Sequence, residues 1–523
     1  MFNKLIPNNQ NLLITILTIF SLAVNQYYGN KGVFPIEGFA FFDTAYRIFH
    51  GDVPFKDYWA VSGVFIDYTQ FIFFKIFGVN FQAYVLHASI VNCLLTIMTF
   101  FYAKNLNISI YFCFFYALIF SLLAYTTSGT LYVDNHASLI CLAAIYFFIF
   151  GIIQNRKNYF FLVPPLIGIA FFTKPAPTIY IFLFLSIVLL AYVITSKKYQ
   201  ILLNLFYSTA IFLSFIFLFI YLQNIPIELI LEQYFYFPVT IANQRYENFT
   251  FSFDNVILNF KFIYFFLIPL IVINLKKLVY IKNYFTHDEF SIFFIILGFT
   301  ICLIFHQLNT KNQLFILFLI PVICILLHSQ LMKARIEKKN FLITFFTIAC
   351  IFFTYKYHIR FNENRKFHEM VNVNFNLAAD ASKIDKKLTG LKWITPSYST
   401  SPNAEIGLII DTLKVLKFDS SKKMIISNYS FFSAILEENT YSPSRWFISN
   451  GGAYPIEKNK YFSSYKNYLY EIIDKKQIDS IYVIFPVKEE ELLRYVNMKC
   501  FKKKMMNKIA TKFEIIPKCQ FKN

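Results

Sequence analysis

The feature that most limits how this chain folds is a series of eleven apolar runs, most of them close to twenty residues long. A membrane-spanning helix needs about 20 mostly apolar residues to cross the hydrocarbon core. The runs occupy residues 11–28, 81–103, 108–125, 136–153, 159–173, 177–195, 201–222, 257–275, 290–305, 314–331 and 341–355. We therefore predict a polytopic α-helical membrane protein with about eleven transmembrane helices.

Composition agrees with this prediction. Hydrophobic residues make up 57% of the chain and charged residues 15%, whereas about 25% of the residues in a soluble domain are charged. The formal net charge is +19, but the basic residues lie between the apolar runs and in the tail, not along one stripe that could follow a phosphate backbone. We therefore expect membrane lipids, and not nucleic acid, as partners.

The chain divides into two predicted domains. Residues 1–355 hold the apolar runs and a large first loop at 29–80, and residues 356–523 are richer in Lys, Ser, Asn and Asp. In the second part, strand-like runs at 422–428 and 478–485 alternate with helix-like stretches at 405–416 and 463–476. This alternation predicts a small soluble α/β domain after the membrane domain.

The charge of the connections predicts the orientation, because short cytoplasmic connections carry an excess of Lys and Arg. One set of connections holds about twice as many basic residues as the other. It contains Lys104, Arg156, Lys157, Lys197, Lys198, Lys276, Lys277, Lys282, Lys333, Arg335, Lys338 and Lys339. We therefore predict a bacterial inner-membrane protein with a cytoplasmic N-terminus and a periplasmic C-terminal domain, where Cys500 and Cys519 would be free to pair or to stay reduced.

Ionisable residues collect on the predicted outer face, and such groups at membrane depth are functional candidates. The first loop, PIEGFAFFDTAYRIFHGDVPFKDYWAVSG, contains Glu37, Asp43, Arg47 and Asp57. The later outer connections contribute further polar residues. These are Asp134, His136, Lys174, Arg245, His306 and Lys311.

The first loop resembles that of a known superfamily. Gly51, Pro54, Phe55, Asp57 and Tyr58 form a G-x-x-P-[FY]-x-D-[FYW] phrase. Together with Asp43, Arg47 and Gly63, and with the FFTKP sequence that ends at Pro175, this phrase is similar to the GT-C glycosyltransferases. That superfamily includes dolichyl-phosphate-mannose protein mannosyltransferases and aminoarabinose transferases.

The resemblance implies an enzyme that moves a sugar from a polyprenyl-phosphate carrier to a glycan, lipid or protein acceptor of the cell envelope. It implies a carboxylate base in the first loop, for which Asp43 is the first choice, with Glu37 and Asp57 as alternatives. The family often has an Asp-Glu pair, whereas here Ile36 precedes Glu37.

The same resemblance implies cations that hold the phosphate of the donor. The candidates are Arg47, Lys174, Arg245 and Lys311. Whether a divalent cation takes part is left open by the sequence.

Other interpretations compete with catalysis. A transporter or flippase of lipid-linked sugars, or a polymerase, also spans the membrane many times. Asp43 and Arg47 stand four residues apart and would pair on one helix face, Asp57 can cap a turn, and Lys174 can extend from a helix end toward water. Arg445 and Trp446 in the tail either stack on a sugar or close a core.

Overall fold

The computed structural model describes residues 6–247, 252–280, 284, 287–310, 314–334 and 336–516. Within these ranges, nine helices are long and apolar enough to cross a membrane, and two shorter apolar helical segments cover Asn158–Thr173 and Leu319–Lys333. Each of the eleven predicted spans therefore corresponds to an apolar helical segment. The predicted fold class, a multi-pass helical membrane protein with an α/β region at its C-terminus, is confirmed.

The helices of the first 357 residues have the following bounds. They are α1 Ile6–Gly29, α2 Pro35–Gly38, α3 Phe42–Phe49, α4 Val64–Phe77, α5 Phe81–Asn105, α6 Ile110–Leu123, α7 Val133–Ile153, α8 Asn158–Phe161, α9 Val163–Thr173, α10 Pro175–Ser196, α11 Gln200–Leu222, α12 Ile227–Ile230, α13 Phe237–Glu247, α14 Phe253–Val256, α15 Lys261–Tyr280, α16 Asp288–Thr310, α17 Leu319–Lys333 and α18 Lys339–Tyr357.

Burial separates the central helices from the peripheral ones. In α7, 89% of the most apolar stretch is buried inside the protein, whereas in α11 only 6% is buried. Because α7 packs against α5, α9, α10 and α16, it forms the centre of the bundle. A polar residue at either end of α7 therefore faces other helices, while the side chains of α11 face outward.

Among its described residues, the C-terminal region contains four more α-helices and two sheets. Its elements are α19 Pro402–Phe418, α20 Phe432–Leu436, α21 Phe462–Lys476, α22 Glu490–Leu493, β1 Ala379–Asp380, β2 Lys392–Trp393, β3 Lys423–Ile426, β4 Ser480–Ile484, β5 Phe501–Met505 and β6 Ala510–Ile515. Strands β1 and β2 pair antiparallel. The larger sheet has the order β3-β4-β6-β5, with β3 parallel to β4 and the other pairs antiparallel.

Helices cover both faces of the larger sheet, and the alternation of side chains along its strands explains the arrangement. Tyr482 and Ile484 on β4 pack in the same cluster as α19. Ile481 and Val483, which point to the other face, pack in the cluster that contains α21. Every residue of β4 is buried as a result, so its sequence is a continuous apolar run and not an alternating one.

The C-terminal region rests on the first loop and on the segment before α15. That segment forms α12, a π-helical turn at Leu231–Tyr236 and α13. The buried Gln233 side chain bonds to the backbone of the first loop at Ala60 and Phe55, at 2.9 Å each. Trp59 packs its ring against Phe237 of α13 and against Tyr465 of α21.

A buried ion pair joins the two regions most directly. Asp67 on α4 is fully buried and binds the guanidinium of Arg445, which is also buried. Thr44 donates a hydrogen bond of 2.5 Å to Asp67, and Tyr58 donates one of 2.8 Å. Arg445 also donates to the carbonyl oxygen of Ser62 and lies 4.7 Å from the centre of the Phe41 ring.

The close approach of Arg445 requires glycine at position 63. Gly63 precedes α4 and has a φ of 78°, in the region that favours glycine. A Cβ atom there would overlap the Phe41 ring and press against Arg445. The backbone N–H of Gly63 donates to the carbonyl of Thr173 at the end of α9, at 2.7 Å, so this turn also fixes α4 against α9.

We predict that Arg445→Met destabilises the protein by about 3 to 5 kcal/mol, because it leaves the buried Asp67 carboxylate without its cation. The measurement is thermal unfolding of the purified protein in detergent. Lys414→Met is the matched control, since its ion pair with Asp411 is exposed and such pairs contribute little.

The Asp67→Leu/Arg445→Met double variant separates loss of charge pairing from loss of packing. It removes both buried charges and is expected to unfold at a higher temperature than Arg445→Met alone. Equal unfolding temperatures for wild type and Arg445→Met would contradict the role of this pair.

Candidate functional site

The predicted site residues of the first loop do not all lie in one place. Asp43, on α3, accepts hydrogen bonds from the backbone amides of Ser433 and Ala434 at 3.2 and 3.1 Å. It therefore caps the start of α20 in the C-terminal region. The expected pair with Arg47 does not form, since Arg47 binds Asp52 at 2.8 Å instead.

Arg47 and Asp57 also bind the C-terminal region. Arg47 donates to the carbonyl oxygen of Ser442 at 2.7 Å. Asp57 accepts from the backbone N–H of Val53 at 2.9 Å and pairs with Lys476 of α21 at 2.8 Å. The structure thus gives both side chains a role in holding the two regions together, and it confirms the turn-capping contact considered for Asp57.

Asp43 lies beside a narrow cavity that Arg47 and Arg445 also line. Burial raises the pKa of the Asp43 carboxyl to about 6, although its two backbone hydrogen bonds and the charge of Arg47 act in the opposite direction. Both oxygens of the Asp43 carboxylate are therefore already hydrogen-bonded to backbone amides in the resting protein.

A second group of charged residues forms at the start of α7. Asp134, in its first turn, is buried and pairs through Oδ2 with Nζ of Lys174 at 3.0 Å. Its other oxygen lies 2.6 Å from Nε2 of His306 on α16. This cluster brings together the ends of three apolar helices, α7, α10 and α16.

The sequence around Lys174 explains its position. Pro175 occupies the first turn of α10, and the residue before a proline is driven to an extended backbone. Lys174 has φ and ψ of −154° and 120°, so the chain breaks between α9 and α10 at this residue. The side chain of Lys174 remains 22% exposed, whereas that of Asp134 is 2% exposed.

Lys174 and His306 line a cavity of about 250 Å³. Arg245 of α13, which is exposed, also lines it. Apolar side chains from α10 and α13, among them Ile179 and Ile241, form much of the wall, and Trp446 from the C-terminal region closes one side. The cavity thus combines two cations, an apolar surface continuous with membrane helices, and an aromatic ring.

Glu37 belongs to this second cluster and not to that of Asp43. It lies in α2, and burial, followed by the charge of Asp134, raises the pKa of its carboxyl well above the usual value, while Tyr132 and Lys174 oppose the shift. Its Oε2 atom is buried and has no hydrogen-bond partner in the described structure. Glu37 is therefore a carboxyl group with a free acceptor atom, close enough to Asp134 and Lys174 for their charges to act on it.

Two of the four predicted phosphate-binding cations, Lys174 and Arg245, meet at this cavity, while Arg47 does not. Lys311 and Cys519 lie outside the described residues. The phosphate-binding role of Lys311 and the pairing of Cys500 with Cys519 therefore stay predictions. His136 does not share a site with Asp134. Its Nδ1 atom is hydrogen-bonded to the Tyr125 hydroxyl at 2.8 Å inside the bundle.

The sequence marks Asp134 and His306 as candidates but does not indicate that they share one site with Lys174. Asp67 and Lys476 were not among the predicted site residues. An acidic residue in an otherwise apolar helix is a usable signal, because it must find a partner there. Within the described ranges, no group of three His, Cys, Asp or Glu side chains is placed to hold a metal ion.

Comparison with known proteins gives a family match and matches to solved structures. Residues 61–222 match the model of the dolichyl-phosphate-mannose-protein mannosyltransferase family. A crystal structure of ArnT from Cupriavidus metallidurans bound to undecaprenyl phosphate is similar with a TM-score of 0.47 and 11% sequence identity, over 97% of this chain and 98% of that one.

No curated protein sequence matches significantly. The family match covers α4 to α11, and with them Asp134 and Lys174. Over residues 61–222, the chain thus carries the sequence signature of a protein mannosyltransferase family, which confirms the resemblance to the GT-C membrane glycosyltransferases.

Proposed function

We propose that this protein is a membrane glycosyltransferase that takes a sugar from a polyprenyl-phosphate carrier and transfers it to a cell-envelope acceptor. The observation that carries the proposal is the cavity lined by Lys174, Arg245 and His306, which combines cations with an apolar wall. A lipid phosphate needs both features at once. The match of residues 61–222 to a family named for a dolichyl-phosphate-mannose donor supports the same class of donor.

Lys174 and Arg245 are proposed to hold the phosphate. Arg offers a planar fork that matches two phosphate oxygens, and Lys acts as a point charge with three donors. Asp134 uses one donor of Lys174, which leaves the others for the ligand. The apolar wall from α10 and α13 is suited to the first isoprene units, and Trp446 to the sugar or the acceptor.

Glu37 is our proposed base. In the transfer, an acceptor hydroxyl oxygen forms a bond to the anomeric carbon while the bond from that carbon to the phosphate oxygen breaks. The hydroxyl proton goes to Glu37, and the electron pair of the broken bond leaves with the polyprenyl phosphate, which Lys174 and Arg245 stabilise as its negative charge grows.

The orientation of the site follows from the positive-inside rule. The cavity lies at the ends of α7, α10 and α16 that are opposite to the lysine-rich connections. We propose that this end faces the periplasm, together with the C-terminal region that covers it, so that residues 356–523 act as a periplasmic domain.

Replacing the base should abolish transfer. Glu37→Gln keeps the size of the side chain but cannot take the proton, so we expect kcat to fall by about 10² to 10⁴-fold. The measurement is sugar transfer from a panel of short-chain polyprenyl-phosphate sugars by the purified protein. Asp43→Asn is the comparison variant, and we expect it to lose far less activity at equal folding and expression.

If Asp43→Asn abolished transfer in a folded protein while Glu37→Gln retained it, the base would be Asp43. No transfer by the wild type with any donor would instead favour a transporter of lipid-linked sugars.

As the pH is lowered, the enzyme should lose activity at a pH above the usual pKa of a glutamate side chain. Only the carboxylate form of Glu37 accepts a proton, and burial raises its pKa. As the pH falls below this raised pKa, the logarithm of kcat/KM is expected to decline by one unit for each pH unit, as for a single titrating group. Glu37→Asp, measured over the same pH range, should keep a profile of the same shape, whereas a flat acid limb in the wild type would contradict the assignment.

Loss of the phosphate-binding cations should weaken donor binding. Arg245 is exposed, so Arg245→Gln is expected to fold normally and to raise the KM for the donor by about tenfold. Lys174→Gln is expected to have a larger effect on kcat/KM, together with lower thermal stability, because it removes a partner of the buried Asp134.

The exposed residue Lys366, which does not line the cavity, provides the control variant Lys366→Gln. An unchanged donor KM in Arg245→Gln would exclude Arg245 from the phosphate site.

A further inference from the structure

A second lysine-lined cavity lies at the other end of the bundle. Its volume is about 500 Å³, and Lys157, Lys197 and Lys198 line it. Helix α10 begins beside Lys174 and ends beside Lys197 after 22 residues. At a rise of 1.5 Å per residue, the two cavities are therefore separated by about 33 Å along this helix, which is close to the thickness of the hydrocarbon core.

The cavity exists because one apolar segment is short. Helices α8 and α9 have 4 and 11 residues, whereas their neighbours α7, α10 and α11 have 21, 22 and 23. The combined segment Asn158–Thr173 is thus shorter than each of these neighbours, and the recess lies beside its start.

Local packing fixes the walls of this recess. At Gly151, near the end of α7, a Cβ atom would overlap the Phe160 ring, so α8 lies tightly against α7. On the other side, the Asn204 side chain donates to the carbonyl of Lys157 at 3.1 Å, which holds α11 in place.

Two of the three lysines have neutral hydrogen-bond partners. Lys198 donates to the Tyr192 hydroxyl at 2.9 Å, and Lys157 donates to Gln200 at 3.4 Å. The carboxylate of Asp288, at the start of the neighbouring helix α16, interacts with the side chain of Tyr192. The recess therefore keeps a positive charge, and its floor contains the apolar side chains of Phe160 and Ile201.

We propose that this recess binds the phosphate group of an anionic phospholipid, with Lys157, Lys197 and Lys198 as its ligands. The lysines face the phosphate, and the acyl chains extend along the apolar surface of α11, most of whose side chains are exposed. Basic pockets between membrane helices are suited to such headgroups. The site is separate from the transfer site and does not depend on the proposed activity.

The test uses the full-length protein in neutral detergent, with phosphatidylglycerol and phosphatidylcholine as probes, and measures bound lipid by native mass spectrometry. The variant is Lys157→Gln/Lys197→Gln/Lys198→Gln. The matched control, Lys276→Gln/Lys338→Gln/Lys339→Gln, removes the same charge from the same end of the bundle. Because the three lysines lie at helix ends and in turns, the variant is expected to fold.

Each lysine near a membrane surface strengthens binding of anionic lipid by about fivefold. We expect phosphatidylglycerol to bind the wild type and the control alike, and to bind the variant about a hundredfold more weakly, with no change for phosphatidylcholine. Equal binding of phosphatidylglycerol to the variant and the control would overturn the proposal. Displacement of the lipid by millimolar inorganic phosphate would show a site for soluble phosphate and would overturn the assignment to a lipid.

Discussion

A charge buried among membrane helices must be paired, and two such pairs organise this protein. Asp134 at the start of α7 binds Lys174 and His306, which fixes three helix ends around one cavity. Asp67 on α4 binds Arg445, which brings the next residue, Trp446, to the wall of the same cavity. Removing one partner would leave an uncompensated charge, so the pairing of each carboxylate determines the geometry of the site.

Most of the fold is predictable from the sequence, because hydropathy acts locally. An apolar run of about twenty residues has to form a helix in a membrane, since no other structure satisfies its backbone there. Strands β3 and β4 are predictable for a related reason, because both are short apolar runs between polar segments. Strand β5 is not, because its residues Phe501–Met505 include three consecutive lysines that lie exposed at the edge of the sheet.

The partners of the charged residues are not predictable in the same way. Asp67 and Arg445 are 378 positions apart in the sequence, and nothing in the spacing of either residue indicates the other. Asp43 and Arg47 have the right spacing for a helical ion pair, yet Asp43 binds backbone amides of α20, and Arg47 binds Asp52 of the first loop. Local spacing shows that two side chains are able to meet, whereas packing determines whether they do.

The same reasoning explains why the sequence points first to Asp43 as the base, whereas we propose Glu37. Both residues follow the first span, and their distances along the chain do not show which carboxylate is left with an unpaired oxygen. Backbone amides of α20 occupy the carboxylate of Asp43, while the Oε2 atom of Glu37 is buried without a partner near Asp134 and Lys174. A buried acceptor atom without a donor costs free energy in the resting protein. A substrate hydroxyl that supplies the missing donor would recover that free energy on binding, and for this reason the unsatisfied carboxyl group, not the satisfied one, is suited to accept a proton.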